Sequence, residues 1–171
     1  MIHFRRAGPE DVPALRSLVE SCYRGDSARQ GWTHEADLLN DERTSNAEVA
    51  HAVAATDMCV LLAEIDGKLA GTVSVTCVGK ACAYLGMLCV APALQAAGLG
   101  RALIAQAESV ALQQFDAATM EMTVIDARPE LIAWYERRGY ARTGETRPFP
   151  VTYINGVAPP FTMVVLERSL R

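Results

Sequence analysis

Hydrophobic and polar positions along the chain sort into short alternating runs and longer helical stripes. Ile2-His3-Phe4-Arg5 alternates as a brief strand does, and Pro9-Glu10-Asp11 puts a proline and two acids where a helix starts. Val12, Leu15, Val19 and Cys22 then recur at three- and four-residue spacing, predicting one apolar helical face. Gly25 and Gly31 punctuate the loop beyond it, and a second helical stretch is expected over 35–39, resuming over 47–55. Three strands follow. The run 58–65 is apolar, Asp66-Gly67 is a two-residue hairpin signal, 68–77 forms the partner strand, and Gly79-Lys80 turns the chain into 82–90. Pro92 ends that strand, and a glycine-bearing loop leads to a helix over 98–115 with Leu99, Leu103, Ala107 and Val110 as its buried stripe. A strand over 118–125 comes next. Pro129 suits a first helical position, Leu131, Trp134 and Tyr135 form that helix's inner face, and Gly139 stops it. Two last strands, 140–146 and 161–167, flank a loop holding Pro148, Pro150, Pro159 and Pro160.

The predicted order is β-α-α-βββ-α-β-α-β-β. Hairpins come first, then a strand–helix–strand crossover that must be parallel and right-handed. The expected class is α+β, a single domain with one central mixed, mostly antiparallel sheet and helices on both faces.

Composition narrows the function. At 171 residues the chain fits one domain against roughly 100–200 residues per domain. Half of it is hydrophobic, enough for one sizeable core. The net charge is −4 and no Lys/Arg cluster is present, which argues against nucleic-acid binding. The longest nearly apolar run, 81–94, contains Gly86 and Pro92 and falls short of the ~20 residues of a membrane helix. Residues 1–6 lack the apolar stretch of a signal peptide. The five cysteines, an odd number without C-x-x-C spacing, read as reduced core thiols of a cytoplasmic protein, and no metal is expected.

The most informative segment is Val90-Ala91-Pro92-Ala93-Leu94-Gln95-Ala96-Ala97-Gly98-Leu99-Gly100-Arg101, between a strand and a helix. The first N–H groups of a helix have no carbonyl to bond, so such a terminus attracts anions. Gly98 and Gly100 remove side chains where a pyrophosphate would approach, and Arg101 stands on the first turn. No Lys-Ser or Lys-Thr follows the glycines, so a P-loop fails, and a Rossmann fingerprint lacks both its third glycine and its βαβ array. A tight turn that only lets the helix pack close to its strand explains the glycines equally simply.

Gln95-Ala96-Ala97-Gly98-Leu99-Gly100 resembles the Q/R-x-x-G-x-G/A motif of the GNAT-type N-acetyltransferase superfamily. Val90-Ala91-Pro92 is similar to that family's strand exit, and Trp134-Tyr135-Glu136-Arg137-Arg138-Gly139-Tyr140 looks like its Y-x-x-x-G-F/Y element. The element order over 1–171 is also the family's. The resemblance implies a GNAT-like fold and acetyl-coenzyme A as acyl donor. It further implies that the strand 82–90 splays from its parallel neighbour, leaving backbone groups at Leu88, Cys89 and Val90 to pair with pantetheine amides. The pyrophosphate would sit on the N–H groups from Gln95 to Arg101, through Ala96, Ala97, Gly98, Leu99 and Gly100. Where the family often has Asn, seven residues before the tyrosine, this chain has Arg128, a candidate contact for coenzyme, substrate or solvent.

Acetyl transfer to an amine needs a neutral nucleophile, a stabilised oxyanion and protonation of the departing thiolate. The resemblance makes Tyr135 the general acid and a backbone N–H near Leu88 or Val90 the oxyanion donor. For the base, Glu121 in Met120-Glu121-Met122 faces either the cleft or solvent. His34, Glu35 and Asp37 form a second set that an ordinary helix start explains as well, and a water chain without a dedicated base stays open. Trp32 either encloses substrate or plugs the core. Cys89 reads as an apolar packer, so direct attack is expected over transfer through its thiol. Segment 23–37 and the loop from Arg147 to Pro160, with Phe149, are expected to line the acceptor pocket. The reading is an N-acetyltransferase acting on a primary amine of a small molecule. A peptide N-terminus or protein lysine is the alternative acceptor, and a non-catalytic coenzyme-binding module the alternative class. A homodimer, common in the family, is compatible with the chain, but no sequence feature points to it.

Overall fold

The structure, a computed structural model, describes residues 1–39, 41–149 and 159–171. Its elements are β1 (Ile2–Arg6), α1 (Val12–Tyr23), α2 (Gly25–Arg29), α3 (Asn46–Ala54), β2 (Met58–Ile65), β3 (Lys68–Gly79), β4 (Cys82–Val90), α4 (Leu99–Phe115), β5 (Thr119–Ile125), α5 (Pro129–Glu136), β6 (Ala141–Pro148) and β7 (Thr162–Ser169). One seven-stranded sheet runs β1-β2-β3-β4-β5-β7-β6. Every pairing is antiparallel except β4 with β5, the crossover that α4 closes. The α+β class with a mixed sheet is therefore the observed one.

Strand β2 shows why the central runs are apolar throughout. Cys59, Leu61 and Ala63 enter the cluster built on α4 and α5, while Val60 and Leu62 enter the cluster under α1 and α3. A strand covered on both faces has no polar side to alternate with. Asp66 and Gly67 both take positive φ, 51° and 74°, so the hairpin turn is of the primed kind their sequence favours. Ser45 caps α3 by accepting from the Glu48 N–H, and the Glu48 carboxylate returns to the Ser45 N–H.

Two local expectations do not hold. Residues 35–39 form turns rather than a helix, because their side chains are claimed tertiarily: Glu35 by Arg24 and Arg128, Asp37 by Arg29, and Leu39 by a small cluster with Ile125 and Phe161. The short helix instead comes earlier, as α2, where Gly25 at φ 71° lets the chain turn sharply out of α1. The loop expectation between Phe149 and Pro159 falls at 150–158, outside the described residues.

The feature that positions the site is the end of β4. It pairs with β5 only at Cys82–Thr119, Ala83–Met120 and Tyr84–Glu121. Against β3, the register jumps between Ser74–Gly86 and Thr72–Cys89, so β4 carries one extra residue there, and Met87 adopts φ 47°. Such a bulge bends its strand. Beyond Tyr84 the two parallel strands open into a wedge.

Candidate active site

Two cavities meet in this wedge. One, of about 400 Å³, lies between the end of β4, the start of α4 and the helix α5. The other, of about 210 Å³, lies between β4, β5 and the segment after α1. Tyr23, Leu88, Arg128, Leu131 and Tyr135 line both, so these residues form the junction.

The larger cavity is defined by backbone at its narrow end. Among the described residues, none of the N–H groups from Ala96 to Arg101 donates to a protein acceptor, and intrahelical bonding of α4 begins with Ala102 N–H to Gly98 C=O. Ala96 and Gly98 take φ 70° and 82°. Left-handed residues interleaved among right-handed ones turn successive N–H groups toward one point and make an anion-binding concavity, which the helix dipole reinforces. At Ala96 this conformation is strained for a residue with a Cβ, a cost met at functional loops. A Cβ at Gly98 would meet nothing within 4 Å, so Gly98 is there for its backbone angle. Gly100 differs. A Cβ there would stand 3.4 Å from the Trp134 ring of α5 and 3.8 Å from Val90 of β4, so this glycine lies at a close approach of α4 to α5, where the plainer reading looked to the strand.

Side chains around the slot serve other ends than expected. The Gln95 carboxamide accepts from the Trp32 N–H at 2.8 Å and donates to the Val90 carbonyl at 3.2 Å, strapping the loop after α2 to the end of β4. Trp32 is 47% exposed and plugs no core; its ring lies 6.3 Å from that of Trp134, on the larger cavity rather than the smaller. Arg101, Arg137 and Arg138 line the same cavity. The Arg138 guanidinium lies 3.5 Å over the Trp134 ring, and burial, then the positive neighbours Arg137 and Arg101, pulls it below its ordinary range. Among the described residues, none of these three arginines forms an ion pair. Ala97 does not line the cavity, while Leu88, Cys89, Val90, Gln95, Ala96, Gly98, Leu99, Gly100, Arg101 and Arg128 do.

The open edge of β4 is partly used by the protein itself. Tyr23 donates its hydroxyl to the Leu88 carbonyl at 2.5 Å, and the Val90 carbonyl accepts from Cys22 at 3.3 Å besides Gln95. Carbonyl oxygens have two lone pairs, so one at Leu88 is left for a ligand. At the junction the Tyr135 hydroxyl has no hydrogen-bond partner among the described residues, and burial first pushes its phenol well above the ordinary tyrosine value. It stays protonated at neutral pH. The Cys89 thiol is likewise held protonated, by its hydrogen bond to Cys22 and then by burial.

The smaller cavity holds the charged groups. Glu35 is brought here, but clamped: Arg24 donates to it at 2.5 Å and Arg128 at 3.2 Å, all three side chains being nearly buried. Arg128 also donates to the Thr33 hydroxyl at 2.5 Å; it braces the 33–35 turn and lines both cavities. Phe149 is in the wall, its ring 5.2 Å from that of Phe161. Tyr84 and Thr123 share a 2.6 Å hydroxyl pair here. Glu121 is not brought to the site. It shares a β5 face with Thr123, yet Arg147 donates to both of its oxygens, at 2.9 and 3.1 Å, and it lines neither cavity. His34 and Asp37 line neither cavity as well, and Asp26 and Asp37 sit on Arg29. Sequence reasoning did not single out Arg43, Tyr84, Thr123, Arg137 and Arg138, which line these cavities. Only the Arg137-Arg138 pair, beside the tyrosine motif, carried a local signal.

Among the described residues no helix is long and apolar enough to cross a membrane. In comparisons with known proteins, no curated sequence matches the chain. Solved structures match over nearly its whole length. PaiA N-acetyltransferase from Thermoplasma acidophilum, in complex with coenzyme A, has a TM-score of 0.74 at 15% identity, covering 99% of each chain. A spermidine N-acetyltransferase SpeG chimera from Vibrio cholerae and hSSAT gives 0.72 at 16%, covering 99% of this chain and 95% of that one. A ribosomal-protein alanine N-acetyltransferase from Escherichia coli gives 0.72 at 18%, covering 99% and 94%. At such identities the likeness shows the fold. The sequence also matches the family model described as "Acetyltransferase (GNAT) family" over residues 12–140, three-quarters of the chain and all of the wedge. An opened β4–β5 pair, a bare helix entrance and a buried tyrosine between two cavities thus stand in a protein that belongs to the GNAT acetyltransferase family.

Proposed function

We propose that this protein transfers the acetyl group of acetyl-coenzyme A to a primary amine of a small molecule, by direct attack with both substrates bound. The observation that carries the reading is the meeting of two cavities at Tyr135, one ending in bare N–H groups and cations, the other small and lined by side chains. The larger is the donor slot and the smaller the acceptor cavity. The donor slot fits a diphosphate at the Ala96–Arg101 amides, with Arg101, Arg137 and Arg138 for its remaining charge. The open edge of β4 then offers Leu88 and Cys89 backbone to the amides of the pantetheine arm, a ligand adding itself where β5 departs.

Acetyl-coenzyme A supplies an activated acyl group and a thiolate that can leave. Tyr135 is placed to protonate that thiolate: burial keeps the phenol protonated at neutral pH, no partner among the described residues holds its hydroxyl, and the phenolate left by the transfer is reprotonated from solvent. Cys89 takes no covalent part, since a thiol held protonated is a poor nucleophile. The acceptor's proton leaves through water held at the Tyr84–Thr123 hydroxyl pair, because Glu35 and Glu42, the carboxylates of the acceptor cavity, already lie on guanidinium groups. The cavity of about 210 Å³ lies below the roughly 300–1,000 Å³ typical of drug-sized ligands, which favours a small acceptor over a folded protein surface.

The test is calorimetric titration with acetyl-coenzyme A followed by thiol release across small amines, peptide N-termini and lysine peptides. Binding with turnover on small amines is expected. Binding without turnover on any acceptor contradicts the enzyme reading.

A further inference from the structure

The acceptor cavity carries its charges unevenly. Of the groups lining it, Glu35 is shared by two guanidiniums, Arg24 and Arg128, and Glu42 is taken by Arg16 at 3.2 Å. Arg24 and Arg128 have further carboxylates beside them, the buried Asp41 Oδ1 at 3.5 Å from Arg24 and Glu130 at 3.7 Å from Arg128. Arg43, in the same wall, has no carboxylate partner among the described residues. Its guanidinium lies 5.2 Å from the centre of the Tyr23 ring, the residue whose hydroxyl holds Leu88 at the junction. Its field also reaches the reaction centre, favouring the ionised forms of both the Tyr23 phenol and the Cys89 thiol against burial. Facing this cation, Phe149, Met163, Met87 and Ile125 present apolar surface.

Resting on the acetyltransferase reading above, we infer that the acceptor is a zwitterionic amine, an α-amino acid with an apolar side chain, whose carboxylate is bound by Arg43. The geometry follows from where Arg43 stands. The nucleophilic nitrogen must reach the junction, and Arg43 stands over Tyr23, a residue of that junction; an α-amino acid is the acceptor whose carboxylate lies nearest its amine. A carboxylate and a guanidinium pair by two parallel hydrogen bonds, which fixes the orientation of the amine as well as its presence. A polyamine offers Arg43 no carboxylate to bind.

The experiment compares matched acceptors by thiol release: phenylalanine with phenethylamine and with phenylalanine amide, and leucine with isopentylamine. Each pair differs in the carboxylate alone. The wild-type protein is expected to favour the acid over its uncharged counterpart by at least about tenfold in kcat/KM, as for one charge-assisted contact. In Arg43→Gln that ratio falls by about tenfold, mostly through KM, and Arg43→Lys restores part of it. Equal or better turnover of the decarboxylated members by the wild type overturns the inference while leaving the acetyltransferase reading in place. A ratio unchanged in Arg43→Gln overturns the role of Arg43. No turnover on any member, with acetyl-coenzyme A bound and other amines acetylated, likewise overturns the inference and leaves the acetyltransferase reading in place.

Discussion

The donor slot and the acceptor cavity share Tyr135, but they are built from different material. The narrow end of the donor slot is main chain from one junction, the end of β4 and the entry to α4, and half of the residues that line the slot lie between Leu88 and Arg101. Its ligand groups are amides that any residue provides, and only Gly98 and Ala96 must adopt a special angle. The acceptor cavity is side chains from segments spread from Tyr23 to Met163, several neutralising one another. The first kind of site persists while side chains change. The second sets which acceptor fits.

The sharpest way to break this contrast is Gly98→Asp. A Cβ has space there, and Asp tolerates left-handed φ better than most residues, so clash and strain contribute little. Its negative charge beside the amides is expected to weaken acetyl-coenzyme A binding at least about a hundredfold by titration calorimetry. Gly98→Ala, strained but uncharged, is expected to lose no more than about tenfold. If alanine were the worse of the two, backbone angle rather than an anion would decide the site.

On the acceptor side, Glu35→Gln leaves Arg24 and Arg128 buried without their shared carboxylate. Stability is expected to fall by about 3–5 kcal/mol in urea unfolding, as when one member of a buried ion pair is removed. A loss under about 1 kcal/mol would mean that water reaches the clamp.

Tyr135→Phe tests the residue common to both. Turnover is expected to drop about a hundredfold, with the dissociation constant of acetyl-coenzyme A changed less than about threefold. Because burial raises the phenol's pKa, the protonated, competent form extends upward in pH, so the wild-type rate should show no alkaline fall below about pH 10 from this group. The smallest effect is expected at Glu121→Gln, which lies outside both cavities. The rate should stay within about twofold and stability within about 1 kcal/mol, Arg147 being partly exposed. A hundredfold loss of turnover there would return Glu121 to the role of base.

This division also explains what was legible beforehand. The element order, the parallel crossover and the bare entrance to α4 were readable because each depends on neighbours in sequence: alternation in 58–65, Asp66-Gly67, and the glycines after Pro92. Tyr135 was readable through a motif on one helix. Glu121 was not, because alternation sets its face while Arg147, 26 residues on, decides what its carboxylate does. Glu35 looked like a helix-start acid, and only the arrival of Arg24 and Arg128 makes it a clamp. The bulge at Met87, which opens the wedge, has only the neighbouring Gly86 as a local signal in the run 82–90. Nor did Gln95 announce that its side chain would tie down Trp32.

The central claim is that the amides from Ala96 to Arg101 receive the coenzyme's diphosphate. Titrating isotope-labelled protein with coenzyme A and following each backbone amide by NMR tests it directly. The account predicts the largest downfield proton shifts within Ala96–Arg101, reproduced by adenosine diphosphate-containing fragments and absent with pantetheine alone. Tight binding that leaves those six amides unmoved would contradict it.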